Sequence, residues 1–187
     1  MTELEKYINT FFGVKKGDLP KISSFFKPLL IKKGDYFLKT GRQSERFGFV
    51  QSGIIREFVF TEDKEITKWI STKGYFVLDL ASFMFKTPAR WNMQALTDCE
   101  LFVIDQKDYQ KIGQIIPQWT VLEKLFIAKC FIVLEDRIIT HLSMTAEERY
   151  NHLFNFNMEL FNQVPLQYLA SMLGMTPETL SRIRKKR

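Results

Sequence analysis

LASMLGMTPETLSRIRKKR, residues 169–187, holds one helix stop and one helix start within a few residues. Gly174 can take the left-handed conformation that ends a helix. Thr176 is a good N-cap, and Pro177 has its φ pre-set for a first helical position. Just upstream, Pro165 in VPLQYLASMLG suits the first turn of a preceding helix. The stretch therefore predicts two short helices around a tight turn, the grammar of a helix-turn-helix. Ala170 is small where two crossing helices must approach closely, and Leu169, Met172, Leu173, Leu180 and Ile183 can share their core. The opposite side of the last helix presents Pro177, Glu178, Ser181, Arg182 and Lys185 at helical spacings of three and four.

Those residue types suit a DNA groove. Glu178 can accept from a cytosine amino group, and Arg182 can fork onto guanine in the major groove. The first-turn amides with Thr176 or Thr179 can hold phosphate, because a helix N-terminus favours anions. Arg184, Lys185, Lys186 and Arg187 add attraction to any polyanion. A plainer reading has Glu178 and Arg182 as an i, i+4 surface ion pair on a helix whose basic end complements its dipole. An isolated helix would favour that reading; the cap, turn glycine and small crossing residue together favour DNA.

Working outward, the chain has 187 residues, 45% hydrophobic and 26% charged, which excludes wholesale disorder. Eighteen phenylalanines point to tightly filled cores. A net charge of +6 permits a polyanionic partner without requiring one. Residues 2–26 read as helical, with Leu4, Tyr7, Ile8, Phe11 and Phe12 at helical spacing. From residue 27 to Asp105 short apolar runs alternate with Gly34, Gly41, Gly53 and Gly74. RWNMQA sets Trp91, Met93 and Ala95 on one side and Arg90, Asn92 and Gln94 on the other, and REFVFTEDKEITKWI reads as two strands around a TEDK turn. Short strands at this spacing predict an antiparallel barrel or sandwich, hence an α+β chain. Residues 117–142 form the longest candidate helix, with no internal Pro or Gly. A helix apolar over most of its circumference needs cover on more than one side, as a dimerisation helix or as the central helix of a compact monomer. The first is favoured, with Leu122, Leu125, Phe126, Cys130 and Val133 as the expected dimer interface. Thr145 with Glu148 predicts a capping box where the last part begins. Cys99 and Cys130 read as buried, reduced thiols. Glu3 and Glu5 stand where a signal peptide would be basic, and LFIAKCFIVL is broken by Lys129, so the expectation is a cytoplasmic protein with no membrane partner.

The tail resembles the C-terminal helix-turn-helix of the Crp/Fnr transcription regulators, particularly the short type found in Bacteroidetes. IKKGDYFLKTG, FVQSGIIREF and ALTDCELFVID are similar to successive parts of that family's cyclic-nucleotide-binding-like barrel, and AEERYNHLF to the segment leading into its DNA-binding part. The resemblance implies three parts. Residues 1–116 would be a jelly-roll (double-stranded β-helix) barrel with an N-terminal helix, 117–142 a dimerisation helix, and 143–187 an all-α helix-turn-helix domain. It implies a homodimeric transcription regulator, not an enzyme, with double-stranded DNA and RNA polymerase as partners. Its DNA contacts would be Thr176, Pro177, Glu178, Thr179, Ser181, Arg182, Lys185 and Lys186. Pro177 stands where the cyclic-AMP receptor protein has Arg, so one base contact of that protein is expected to be missing.

In cyclic-nucleotide receptors of this family a Gly-Glu helix and a Pro-Arg-Ser-Ala run bind the ligand. The equivalent stretch here, GYFVLDLASFMFKTPARWNMQALTD, lacks Gly-Glu. Asp79, Ser82 and Arg90 are the candidate effector pocket. Arg90 is displaced by one residue, which on a strand turns a side chain to the other face. Cyclic AMP is therefore not an expected ligand, no cofactor is implied, and the sequence leaves open whether another small molecule binds. Two isolated cysteines exclude an iron–sulfur sensor. His141 and His152 flank the hinge as polar or hydrogen-bonded residues. The competing reading is a ligand-binding or protein-docking barrel whose C-terminal helices do not read DNA.

Overall fold

The computed structural model describes residues 1–186; Arg187, counted above in the basic tip, lies outside the described residues. The chain is α+β. It opens with α1 (Glu3–Phe12), started by a full capping box. The Thr2 hydroxyl accepts from the Glu5 N–H at 3.2 Å, and the Glu5 carboxylate accepts from the Thr2 N–H at 2.7 Å. The helical texture of residues 2–26 is two helices rather than one. Gly13 ends α1 at φ 69°, and Pro20 sits in the first turn of α2 (Leu19–Ser23).

Eight strands follow among the described residues: β1 (Lys27–Ile31), β2 (Tyr36–Leu38), β3 (Arg46–Ser52), β4 (Ile55–Phe60), β5 (Glu65–Ser71), β6 (Phe76–Val77), β7 (Asn92–Ala95) and β8 (Cys99–Asp105), with α3 (Leu80–Phe85) between β6 and β7. They build two four-stranded sheets, ordered β1-β8-β3-β6 and β2-β7-β4-β5. Of the barrel or sandwich expected from the strand spacing, the structure forms a sandwich whose two sheets do not close. Central β8 is antiparallel to β1, in the register Lys27 with Val103 through Ile31 with Cys99, and to β3, where Arg46 faces Asp105. After β8 come α4 (Gln106–Ile115), α5 (Trp119–Ser143), α6 (Ala146–Phe156), α7 (Leu160–Gln163), α8 (Leu166–Met172) and α9 (Pro177–Lys185).

Strand β3 explains the core. Phe47, Gly48, Phe49 and Val50 are all buried, so both of its faces are covered. Val50 joins Ile31, Leu38, Ile55, Val77, Met93 and Leu101 inside the sandwich. Gly48 lets the strands approach closely, since a Cβ there would meet Val77 at 3.1 Å and Val103 at 3.3 Å. The other face carries an aromatic layer. Phe12 stacks within 4.5 Å of Phe126 and 4.8 Å of Trp119, and Phe47 lies 4.9 Å from Phe49, centroid to centroid. Each such pair adds about 0.5–1.5 kcal/mol beyond its buried area. Between β3 and β4, Gly53 takes φ +90°, and a Cβ there would meet the Asp98 carbonyl at 2.5 Å and the Cys99 sulfur at 2.6 Å. In β7 the expected alternation is broken: Asn92 is buried, because its Oδ1 accepts from the Thr40 N–H at 3.1 Å.

The chain forms two compact units, residues 1–57 with 70–129 and residues 58–69 with 130 onward. The division falls inside α5, and the tip of the β4–β5 hairpin groups with the C-terminal helices. No helix among the described residues is long and apolar enough to cross a membrane.

Candidate nucleic-acid interface

Helices α8 and α9 meet around the turn 173–176. Gly174 sits at φ 65° within it, and the Met175 N–H bonds back to the Ala170 carbonyl at 3.0 Å. Leu169, Ala170, Met172, Leu173, Leu180 and Ile183 are all buried, as the sequence predicts. Thr176 is the N-cap of α9, its hydroxyl accepting from the Thr179 N–H at 3.2 Å. The outward side of α9 borders an open groove of about 630 Å³ lined by Leu166, Pro177, Glu178, Ser181, Arg182, Lys185 and Lys186. Every lining residue except Leu166 stands among the expected DNA contacts. Leu166 belongs to the first turn of α8, and its apolar side chain carries no sequence signal for a groove.

The Glu178 carboxylate does not reach toward Arg182. Its own backbone N–H and then the Thr176 hydroxyl hold it below the usual carboxylate range. No Glu178–Arg182 ion pair forms among the described residues, so the Arg182 guanidinium is left exposed beside the groove. Lys186 lies 4.0 Å from Glu147 of α6, both exposed, a contact worth little in water.

The turn itself is held by cations that the sequence reading passed over. Arg149 of α6 donates through Nε to the Leu173 carbonyl at 2.8 Å and through a terminal nitrogen to the Gly174 carbonyl at 3.3 Å. Arg137 of α5 donates to the Met172 carbonyl at 3.0 Å and lies over the Trp69 ring at 5.4 Å. On α8 the Ser171 hydroxyl accepts from the Thr67 N–H at 2.9 Å and donates to the Glu65 carbonyl at 3.2 Å, clasping the hairpin tip. Arginines at the carbonyl end of a helix fit its dipole, but nothing local in the sequence says which carbonyls they reach.

Helix α5 requires a correction. Phe126 is 2% exposed and packs against Phe11, Phe12, Phe47 and Phe76, so it is core rather than interface. At about 100° per residue, Leu122, Cys130 and Val133 lie on the same side as Phe126, and Leu125 alone of the expected five lies about 100° round the helix from it. Leu122 and Cys130 are half-buried, and burial pushes the Cys130 thiol up to about 11. One stripe runs Val121, Leu125, Ala128, Ile132, Glu135, Ile139, Leu142, at alternating steps of four and three, and all seven are exposed; Phe131, Val133, Leu134 and Ile138 are exposed on other sides of the same helix.

The three candidate effector residues do come together. Both Asp79 oxygens are engaged: one accepts from the Ser82 N–H at 3.1 Å, the other from the Arg90 N–H at 3.0 Å. The Ser82 hydroxyl donates to the Thr87 carbonyl at 2.6 Å and accepts from the Ser44 N–H at 2.8 Å. Asp79 and Ser82 are buried while Arg90 is exposed. No group of three or more His, Cys, Asp or Glu among the described residues is placed to hold a metal.

Residues 28–115 match the cyclic nucleotide-binding domain family. No curated protein matches the chain. Solved structures share its fold along most of its length. The catabolite activator protein of Thermus thermophilus is 21% identical with a TM-score of 0.60, over 94% of this chain and 84% of that one. The c-di-GMP-responsive global regulator CLP of Xanthomonas campestris is 16% identical with a TM-score of 0.67, over 92% and 91%. FixK2 of Bradyrhizobium japonicum is 18% identical with a TM-score of 0.70, over 86% and 83%. The chain thus shares the fold of these solved structures, a β-sandwich followed by C-terminal helices, and the family match lies within residues 28–115.

Proposed function

We propose that the protein is a homodimeric, sequence-specific DNA-binding transcription regulator of the Crp/Fnr type, reading the major groove with α9. The observation that carries this reading is the division of α9. Leu180 and Ile183 are buried against α8, while Glu178, Arg182 and Lys185 are exposed along one groove. Arg182, unpaired with Glu178, is available to guanine, and Glu178 to a cytosine amino group. Thr176 and the first-turn amides would meet phosphate.

The second copy would dock on the stripe of α5. Its steps of four and three are a heptad seam, with Leu125, Ile132 and Ile139 at one core position and Val121, Ala128, Glu135 and Leu142 at the other. Ile132 and Ile139 at the first position and Leu142 at the second are the residue types that two parallel strands favour there. A parallel pair would set two copies of α9 against successive major grooves, one helical turn apart.

Cyclic AMP would not be the gate. The Asp79 and Ser82 groups that could meet a ligand are bonded within the chain, and Arg90 points to solvent. Selection from a random duplex pool with the ligand-free protein tests the whole reading. Enrichment of a palindrome with half-sites about one turn apart is the expected result. Failure to enrich any sequence, with and without cyclic nucleotides, would leave the sandwich as a ligand- or protein-docking module.

A further inference from the structure

We propose that His141 is a proton-dependent staple on the turn between α8 and α9, so that the presentation of α9 varies with pH; this rests on the DNA-reading assignment above. His141 lies on α5 and both of its ring nitrogens face carbonyl oxygens. Nδ1 is 2.9 Å from the Arg137 carbonyl, one turn back on the same helix, and Nε2 is 3.3 Å from the Met172 carbonyl at the end of α8. A carbonyl only accepts. A neutral imidazole has one N–H and one bare lone pair, so either tautomer satisfies one oxygen and turns a lone pair on the other. The imidazolium donates to both.

The ring also packs on the turn itself, since a Cβ added at Gly174 would lie 3.3 Å from His141 Cδ2. The charged groups facing it are Arg137 from its own helix, which shares the Met172 carbonyl, and Arg149 from α6, on the next two carbonyls. No carboxylate is bonded to the ring among the described residues. Loss of the proton leaves one N–H for two oxygens, and in the Nδ1–H tautomer the contact to Met172 is released. The turn is then held by Arg137 and Arg149 alone.

The test follows duplex affinity between about pH 5.5 and 8.5 for the full chain, for His141→Gln and for His152→Gln, an exposed histidine on α6 that serves as control. In parallel, the imidazole ¹⁵N shifts of His141 are recorded in the free protein. The expected result is that wild-type affinity weakens several-fold more than that of His141→Gln as His141 loses its proton, and that His152→Gln follows the wild type. Parallel profiles for wild type and His141→Gln would overturn the proposal. If no DNA binds at any pH, the reading of α9 fails, and the free protein still decides on the staple. Amide shifts of Gly174 and Met175 that follow the His141 titration would uphold it; a neutral single tautomer throughout, or turn amides that ignore the titration, would overturn it.

Discussion

Replacing Ile132 with Asp separates the two faces of α5. Ile132 is 55% exposed. Full burial of an isoleucine is worth about 1.5–3 kcal/mol, so roughly half, about 1 kcal/mol, remains to be gained at an interface. A two-fold axis doubles this to about 2 kcal/mol, which at about 1.4 kcal/mol per tenfold predicts a dimer dissociation constant at least about 30-fold weaker. The figure is a floor, because the aspartates must also leave water in the seam. Val133→Asp is the matched control. Val133 is 50% exposed, nearly the same, yet lies on the Phe126 side of the helix. Sedimentation equilibrium of wild type and both variants reads the constants directly. Ile132→Asp should dissociate the dimer while Val133→Asp leaves it within a few-fold. The opposite ranking, or a wild type that stays monomeric at every concentration, refutes the seam.

Phe126→Ala should act on folding instead. The ring is buried among four other phenylalanines, and truncation should cost about 3–5 kcal/mol, seen as a fall in denaturation midpoint. Arg182→Ala should weaken the selected site by about 1–3 kcal/mol and relax preference at one base pair of each half-site; equal losses on all sequences in a competition assay would contradict base reading. Truncation after Ile183 should weaken every sequence and flatten the salt dependence. Acid should loosen the start of α6. Glu148 is held below the usual carboxylate range by the Thr145 backbone N–H and then its hydroxyl. Its contribution is therefore complete above the unfolded carboxylate pKa and lost as pH falls through the lower folded one. Glu148→Gln should flatten this acid limb of the thermal stability, and an unchanged limb would count against the cap.

What could be read ahead follows from where each signal resides. Thr145 with Glu148, and Thr176 with Pro177 and Gly174, act within one turn of chain, so caps and turn are legible from neighbours alone. The burial of Leu180 and Ile183 followed from spacing. The face of α5 did not. Apolar residues lie nearly all round it, so periodicity cannot say which side meets the Phe11, Phe12 and Phe47 layer. Only that layer picks out Phe126, leaving Val121, Ile132, Ile139 and Leu142 outside. Asn92 misled in the same way: a polar side chain in an alternating strand faces inward when a distant backbone N–H, here of Thr40, meets it. The choice between barrel and sandwich, and the reach of His141 to the Met172 carbonyl, likewise depend on contacts made far along the chain.

Glu135 interrupts an otherwise apolar seam, and on the dimeric reading each copy would face its mate. Two carboxylates set against one another weaken the pair, as polar groups at such positions do. Monomers would then be abundant at low expression, and only pairs would span a palindrome. Promoter occupancy would climb with the square of protein concentration, so abundance itself becomes a threshold signal that needs no small molecule. Binding isotherms on a full palindrome should be sigmoidal for the wild type and shift toward a simple hyperbola in Glu135→Leu; identical hyperbolas for both would remove that threshold.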